Sequence, residues 1–423
     1  MQFTTMVRRN QPWVWLASII ASLALAVNAA HADSTLTLND AITRSLLHNP
    51  DLYQYRFIQE ALKARRQTSA LRPALAIELE MENFAGSGST KGFDSAETTV
   101  ALSSVIELGG KSTARVSFAE ARINQGEWQL QATTLDVLGD LTSIYIEGLA
   151  TQARIQLARE SLALSQSLLA TVKTRSDQGA TPEAEVMRAK AAVATAEIHE
   201  AALVDQFERI KVQLSRFWGE TTPAFSKLDG SLFEFGADED FEQLYARVKT
   251  SPAIQVLASE ARIKDAEVTL ARVEGRSNLS WRAGIRYLGE PSEPAFVASF
   301  SMPLFSKDRN SGEVNVALAN RNAVDYARLD LLLRLHEQLF EAYSLRRQSI
   351  EAVNKTESEI IPALEDALQL TREAYENGRY RYLDLIAAQA ELLSIKQARI
   401  DAASTALISQ ALIEKLTSES LNR

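Results

Sequence analysis

Metal coordination or nucleophilic catalysis in this 423-residue chain would have to be built from four histidines and no cysteine. His31, His48, His199 and His336 lie far apart, none at ligand spacing from another. His199-Glu200 and His336-Glu337 read as solvated pairs on helix surfaces, because a metal centre needs several donors converging on one point. The missing cysteine excludes disulfides, thiolate metal sites, thiol catalysis and an N-terminal lipidated cysteine. The turn-like stretches "NFAGSGSTKGFDS" and "LGEPSEPA" lack the lysine-serine/threonine pair of a phosphate-binding loop. No Ser/His/Asp set assembles from local motifs. These residues point away from an enzyme, a bound cofactor and a resident metal, and a net charge of −9 disfavours nucleic acid as a partner.

What remains is charge in a pattern. In "LAIELEME" (Leu75 to Glu82), Leu75, Ile77, Leu79 and Met81 fall on one face of a strand and Glu78, Glu80 and Glu82 on the other. In "NLSWRAGIRY" (Asn278 to Tyr287), Leu279, Trp281, Ile285 and Tyr287 oppose Ser280, Arg282 and Arg286. Their partners, Thr98 to Leu108 and Phe296 to Leu304, alternate more loosely. Each strand has about ten residues, the length a tilted strand needs to cross a bilayer. Two amphipathic hairpins on a soluble core would show the same pattern. In a membrane, four strands cannot close on themselves and open edges are not tolerated, so copies must share one barrel. Two copies give eight strands with a filled interior; three give twelve and a lumen. Two further carboxylates stand in "DQGATPEAEVMRAKA" and "ENGRYRYLDLIAAQA", where Glu185 and Asp384 each follow a glycine, Gly179 and Gly378, by six residues. Both suit the start of a helix, where the macrodipole favours an acid.

The elements that must position these residues come in duplicate. "HNPDLYQYRFIQEALKA" (His48 to Ala64) resembles "TSPAIQVLASEARIKDA" (Thr250 to Ala266), with Pro50 matching Pro252. Each copy continues with two short strands, a very long helix, a glycine and a shorter helix. Glu107 to Gly179 is 179 − 107 = 72 residues and Phe305 to Gly378 is 378 − 305 = 73. Helices are expected at Asp51–Arg72 and Ala253–Glu274, and the returning ones at Pro182–Trp218 and Arg381 to about Thr417. A long helix of about 68 residues would reach roughly 100 Å. Ile155, Ala158, Leu162, Ser165, Leu169 and Val172 repeat at coiled-coil spacing, as do Val353, Thr356, Ile360, Ala363, Ala367, Leu370 and Ala374. Pro362 should kink or break the second long helix.

Residues 1–32 read as a signal peptide, with Arg8-Arg9, the apolar run Trp13 to Val27 and the site Ala30-His31-Ala32. That run is shorter than the ~20 residues of a membrane anchor. Its removal leaves a net charge of −9 − 2 = −11. The expected organisation is therefore 1–32 signal, 33–219 first repeat, 220–240 linker in an equatorial region, and 241–423 second repeat.

Asn49-Pro50-Asp51-Leu52, Glu107-Leu108-Gly109-Gly110-Lys111 and Met302-Pro303-Leu304-Phe305 with Asn310 and Gly312 carry a resemblance. With the duplicated order of elements, they make the chain similar to the TolC family of outer-membrane efflux proteins, in its CzcC-like heavy-metal branch. The resemblance covers nearly all of the chain after the signal. It implies a mainly α fold with a small β part, in which a homotrimer closes a twelve-stranded outer-membrane β-barrel that continues into a periplasmic α-barrel. It also implies a periplasmic adaptor and an inner-membrane pump of the RND type as partners, outer-membrane lipid around the barrel, and a place in the outer membrane of a Gram-negative envelope, to which the signal peptide would export the chain; without a cysteine it is expected not to be a lipoprotein. Gly109, Gly110, Pro303 and Gly312 then mark the barrel–tunnel junctions, where glycine permits unusual backbone angles and close approach. Gly179, Glu185, Gly378 and Asp384 mark the periplasmic tips. Asp384 matches an acidic position at the family's constriction, while a second acidic position is Ala387 here. Alternation places Glu78, Glu80 and Glu82, with Glu97 and Glu107, in the lumen against Arg282 and Arg286, although a one-residue slip would reverse every side chain. The expected function is a passive exit duct for exported cations or drugs. A periplasmic adaptor or a structural coiled-coil protein would share the long helices but not the duplicated hairpins with amphipathic strands.

Overall fold

The computed structural model describes residues 35–290 and 292–418, and the expected signal peptide lies outside them. The elements run β1 (Thr35–Leu36), α1 (Leu38–His48), α2 (Pro50–Ser69), β2 (Ala76–Glu82), β3 (Glu97–Ile106), α3 (Lys111–Asp177), α4 (Glu183–Ser215) and β4 (Lys227–Leu228). They continue with α5 (Phe241–Val248), α6 (Pro252–Glu274), β5 (Leu279–Tyr287), β6 (Pro294–Ser301), α7 (Ser306–Arg309), α8 (Ser311–Lys355), α9 (Ile361–Glu376) and α10 (Tyr382–Thr417). The expected strands and helices are present, with ends displaced by a few residues. Two compact units result, each drawing on both halves of the sequence. One takes residues 51–134 and 245–337, the other 35–50, 135–244 and 338–418.

The first unit carries an antiparallel sheet in the order β2-β3-β5-β6, leaving β2 and β6 as its edges. Residues directly opposite in such a sheet share a face. Leu79 pairs with Val100, Val100 with Ile285, and Ile285 with Phe296, so the apolar face runs unbroken across all four strands. This face is open: Ile77 is 80% exposed, Leu79 70% and Phe296 93%. The other face holds the charged side chains. Alternation in β3, loose by composition, is strict in register.

In the second unit the part of α3 from residue 135 onward forms one helical hairpin with α4, and α9 and α10 form another. Both turns are built alike. Gly179 and Gly378 adopt φ of 76° and 73°, and the following residue donates its N–H five positions back, Ala180 to Arg175 and Arg379 to Ala374, each at 2.8 Å. This left-handed cap satisfies carbonyls that the helix end would otherwise leave bare. Leu168, Val172, Val186, Leu368, Tyr375, Tyr382 and Leu385 pack into a common core between the hairpins. Pro362 has the expected effect: a π-helical turn over Thr356–Ile360 separates α8 from α9, closed by the N–H of Ile361 on the carbonyl of Thr356. A proline without an N–H cannot extend the regular ladder, and the extra residue absorbs the mismatch.

The linker is more ordered than its loop-like composition suggests. Its strand β4 pairs in parallel with β1, and the single proton of the Tyr145 hydroxyl lies between the carbonyls of Asp229, at 2.5 Å, and Leu36, at 2.8 Å. Gln152 holds both backbone groups of Leu228. Burial pushes the Tyr145 phenol above its ordinary range, so it stays a neutral donor. Tyr145→Phe should therefore lower stability by about 1–2 kcal/mol, because the Asp229 carbonyl loses the phenol while that of Leu36 keeps the Asp229 N–H at 2.9 Å. Denaturant unfolding measures this, and an unchanged midpoint would assign the strap's order to packing alone.

Candidate functional site

At the hairpin tips, Glu185 lies in the first turn of α4 and Asp384 in the first turn of α10. The Asp384 carboxylate accepts the backbone N–H of Arg381 at 2.9 Å and lies 3.5 Å from its guanidinium. The backbone N–H of Arg381 is the main reason this carboxyl titrates below its ordinary value of 3.8. A depressed value stabilises the folded helix start fully above the unfolded pKa, and that contribution is lost as pH falls through the folded one. Amide protection over 381–388 should thus be steady from pH 5 to 8, after correction for intrinsic exchange, and weaken below about 4. Asp384→Ala should be weak throughout; acid-insensitive protection in the wild type would sink the electrostatic share of the cap.

One residue that sequence reasoning missed ties the two tips together. Arg175, in the last turn of α3, donates to the carbonyls of Tyr375 at 3.0 Å and Glu376 at 2.7 Å. Its guanidinium also stands 4.9 Å from the ring centroid of Tyr375. The partners are some two hundred residues apart, so no local pattern could announce the contact.

On the charged face of the sheet, Arg282 meets Glu78 at 3.0 Å and Glu80 at 2.5 Å, and Arg286 meets Glu82 and Glu97 at 3.0 Å each. Glu107 lies beyond the end of β3, bound by Arg115 at 2.5 and 2.8 Å. The expected five acids against two bases become four carboxylates clamped by two arginines. At the first junction Gly109 and Gly110 have φ of 83° and 78°. Beside them the buried ammonium of Lys111 binds the backbone carbonyl of Glu274 at 3.2 Å and its carboxylate at 3.3 Å. At the second, the carbonyl of Pro303 accepts from Ser277 at 2.6 Å, and the left-handed residue is Phe305 at φ 61°. Gly312 instead sits inside α8 with ordinary helical geometry and open space around it. Among the described residues no cluster of His, Asp or Glu could hold a metal ion, and no helix is long and apolar enough to cross a membrane.

One family profile, described as Outer membrane efflux protein, matches residues 41–220 and 249–419. The chain belongs to the outer membrane efflux protein family. The resemblance read from the motifs is to this same family. Cobalt-zinc-cadmium resistance protein CzcC of Cupriavidus metallidurans is 26% identical over 310 residues, 72% of each chain. Nickel-cobalt-cadmium resistance protein NccC of Alcaligenes xylosoxydans xylosoxydans is 26% identical over 274 residues, 64% of this chain and 60% of that one. In fold the chain is similar to the outer-membrane channel OprN, with a TM-score of 0.76, 18% identity and 90% of each chain covered. This efflux protein therefore acts at the outer membrane, and its fold of long helices with a small sheet is that of the channel it resembles.

Proposed function

We propose that three copies of the chain join β6 of one to β2 of the next, closing a twelve-stranded barrel through which divalent heavy-metal cations leave the cell. The observation that carries this reading is the sheet: one open apolar face, one charged face and two unpaired edges, on a chain whose family is defined by efflux at the outer membrane. An apolar face of this kind suits lipid, and closure removes edges that lipid does not tolerate. The resistance names of the relatives support metal as the cargo. Residues 1–32 would export the chain, and an adaptor with an RND-type pump in the inner membrane would supply energy and choose substrate. The tip glycines and Asp384 would form the aperture at which the adaptor docks.

Fractionation of cells expressing the full chain tests the duct, with the expected result a heat-modifiable trimer in the outer membrane. Recovery in the soluble fraction would overturn it. Deletion of the gene should sensitise cells to cobalt, zinc or cadmium; sensitisation to organic compounds alone would exclude metal cargo while leaving the duct intact.

A further inference from the structure

We propose that Arg282 and Arg286 set the charge selectivity of the duct. The inference rests on the reading above, in which the charged face of the sheet is the wall of the passage. Both arginines stand on β5, while Glu78, Glu80 and Glu82 stand on β2, two strands away. On this face the intervening β3 carries Glu97, Thr99, Ala101, Ser103 and Val105, so its only charge is Glu97, directly opposite Glu82. Thr99 and Ala101 are buried, at 1% and 3% exposure. The Arg286 guanidinium donates to the Thr99 hydroxyl at 3.0 Å on its way to the carboxylates. Each arginine thus lies across a neighbouring strand and ends between two carboxylates, in the forked geometry that suits this side chain.

The consequence is a controlled excess of negative charge. Four carboxylates and two guanidiniums leave −4 + 2 = −2 per copy, and β6 adds only Ala295, Val297, Ser299 and Ser301 on this side. The three β2 carboxylates remain 40–44% exposed and the arginines 28–29%. A passing ion therefore meets the acids more than the bases. The wall attracts cations, and the arginines set how strongly by cancelling half of its negative charge.

Reversal potentials of the purified full chain in planar bilayers under a KCl gradient test this. Arg282→Gln with Arg286→Gln takes the wall to −4 per copy and should raise the cation-to-anion permeability ratio roughly two- to fivefold at ~0.1 M salt. The gain should shrink at 1 M, where the screening length falls from ~10 Å to ~3 Å. Glu80→Gln with Glu82→Gln takes the wall to −2 + 2 = 0 and should abolish the preference, which keeps the test decisive should the arginine pair fail to insert. Arg282→Lys with Arg286→Lys keeps the charge and should leave the reversal potential where it was. Channels whose selectivity is unmoved by the glutamine pairs, or moved as far by the lysine pair, would overturn the inference. A wild-type chain that inserts no channel at all would instead sink the duct reading beneath it.

Discussion

Arg175→Ala is expected to free the tip of one helical hairpin from the other while the rest of the fold stays intact. The carbonyls of Tyr375 and Glu376 close α9, where a helix runs short of intrahelical donors and carries the negative end of its dipole, and that of Tyr375 also accepts the N–H of Gly378 at 2.9 Å. The guanidinium of Arg175 answers both needs and stacks near the Tyr375 ring as well. Charged hydrogen bonds of this kind contribute about 1.5–3 kcal/mol each when shielded and less where water competes, as it does at a tip. A loss on the order of 1–3 kcal/mol in local opening corresponds to roughly a five- to 150-fold faster amide exchange over 172–182 and 373–384. The thermal midpoint should hardly move, because the core of Leu168, Val172, Leu368 and Leu392 is untouched. Arg175→Lys should restore only part of the protection, since a single ammonium cannot fork between two carbonyls. Exchange unchanged in the alanine variant would show that the apolar core alone holds the tips. In the duct reading the alanine variant should also conduct more in bilayers than the wild type.

What the sequence made legible follows from the range of each signal. Period-two alternation is local, so the strand containing Glu78, Glu80 and Glu82 could be read with both faces assigned, and the structure keeps those faces. Helix ends carry local chemistry too: the glycines at 179 and 378, Asp384 three residues into a first turn, and Pro362 each announced themselves. The unreadable features are pairings between distant segments. Arg282 could be placed on a face, but its clamp on Glu78 and Glu80 depends on a register across three strands that no single strand specifies. The pairing of Thr35–Leu36 with Lys227–Leu228 involves two residues on each side, too few for any period to show. Phe305 is harder still. Left-handed backbone is signalled in sequence by glycine, and here an aromatic residue takes it at the cost of strain.

That contrast between the two junctions gives the sharpest expected ranking of variants. At Gly109 a side chain would face a left-handed φ of 83° and place its Cβ 2.0 Å from Arg276 Cδ. Valine there adds backbone strain of about 1–2 kcal/mol to a displacement of Arg276, for a total of about 2–4 kcal/mol. Gly110 has the same backbone demand at φ 78° but nothing within 4 Å, so Gly110→Val should cost about the strain alone, ~1–2 kcal/mol. Gly312 has neither demand, and valine within a helix is a few tenths of a kcal/mol better than glycine, so Gly312→Val should be neutral or slightly stabilising in the single chain. Unfolding midpoints of the three purified variants should therefore fall in the order 312, 110, 109. Equal losses at all three would remove the conformational account of the junction. A Gly312→Val chain that folds normally but yields no trimer would mean something different. The open space beside Gly312 would then be filled in the assembly by the backbone of a neighbouring copy, and glycine would be required there for close approach rather than for its φ.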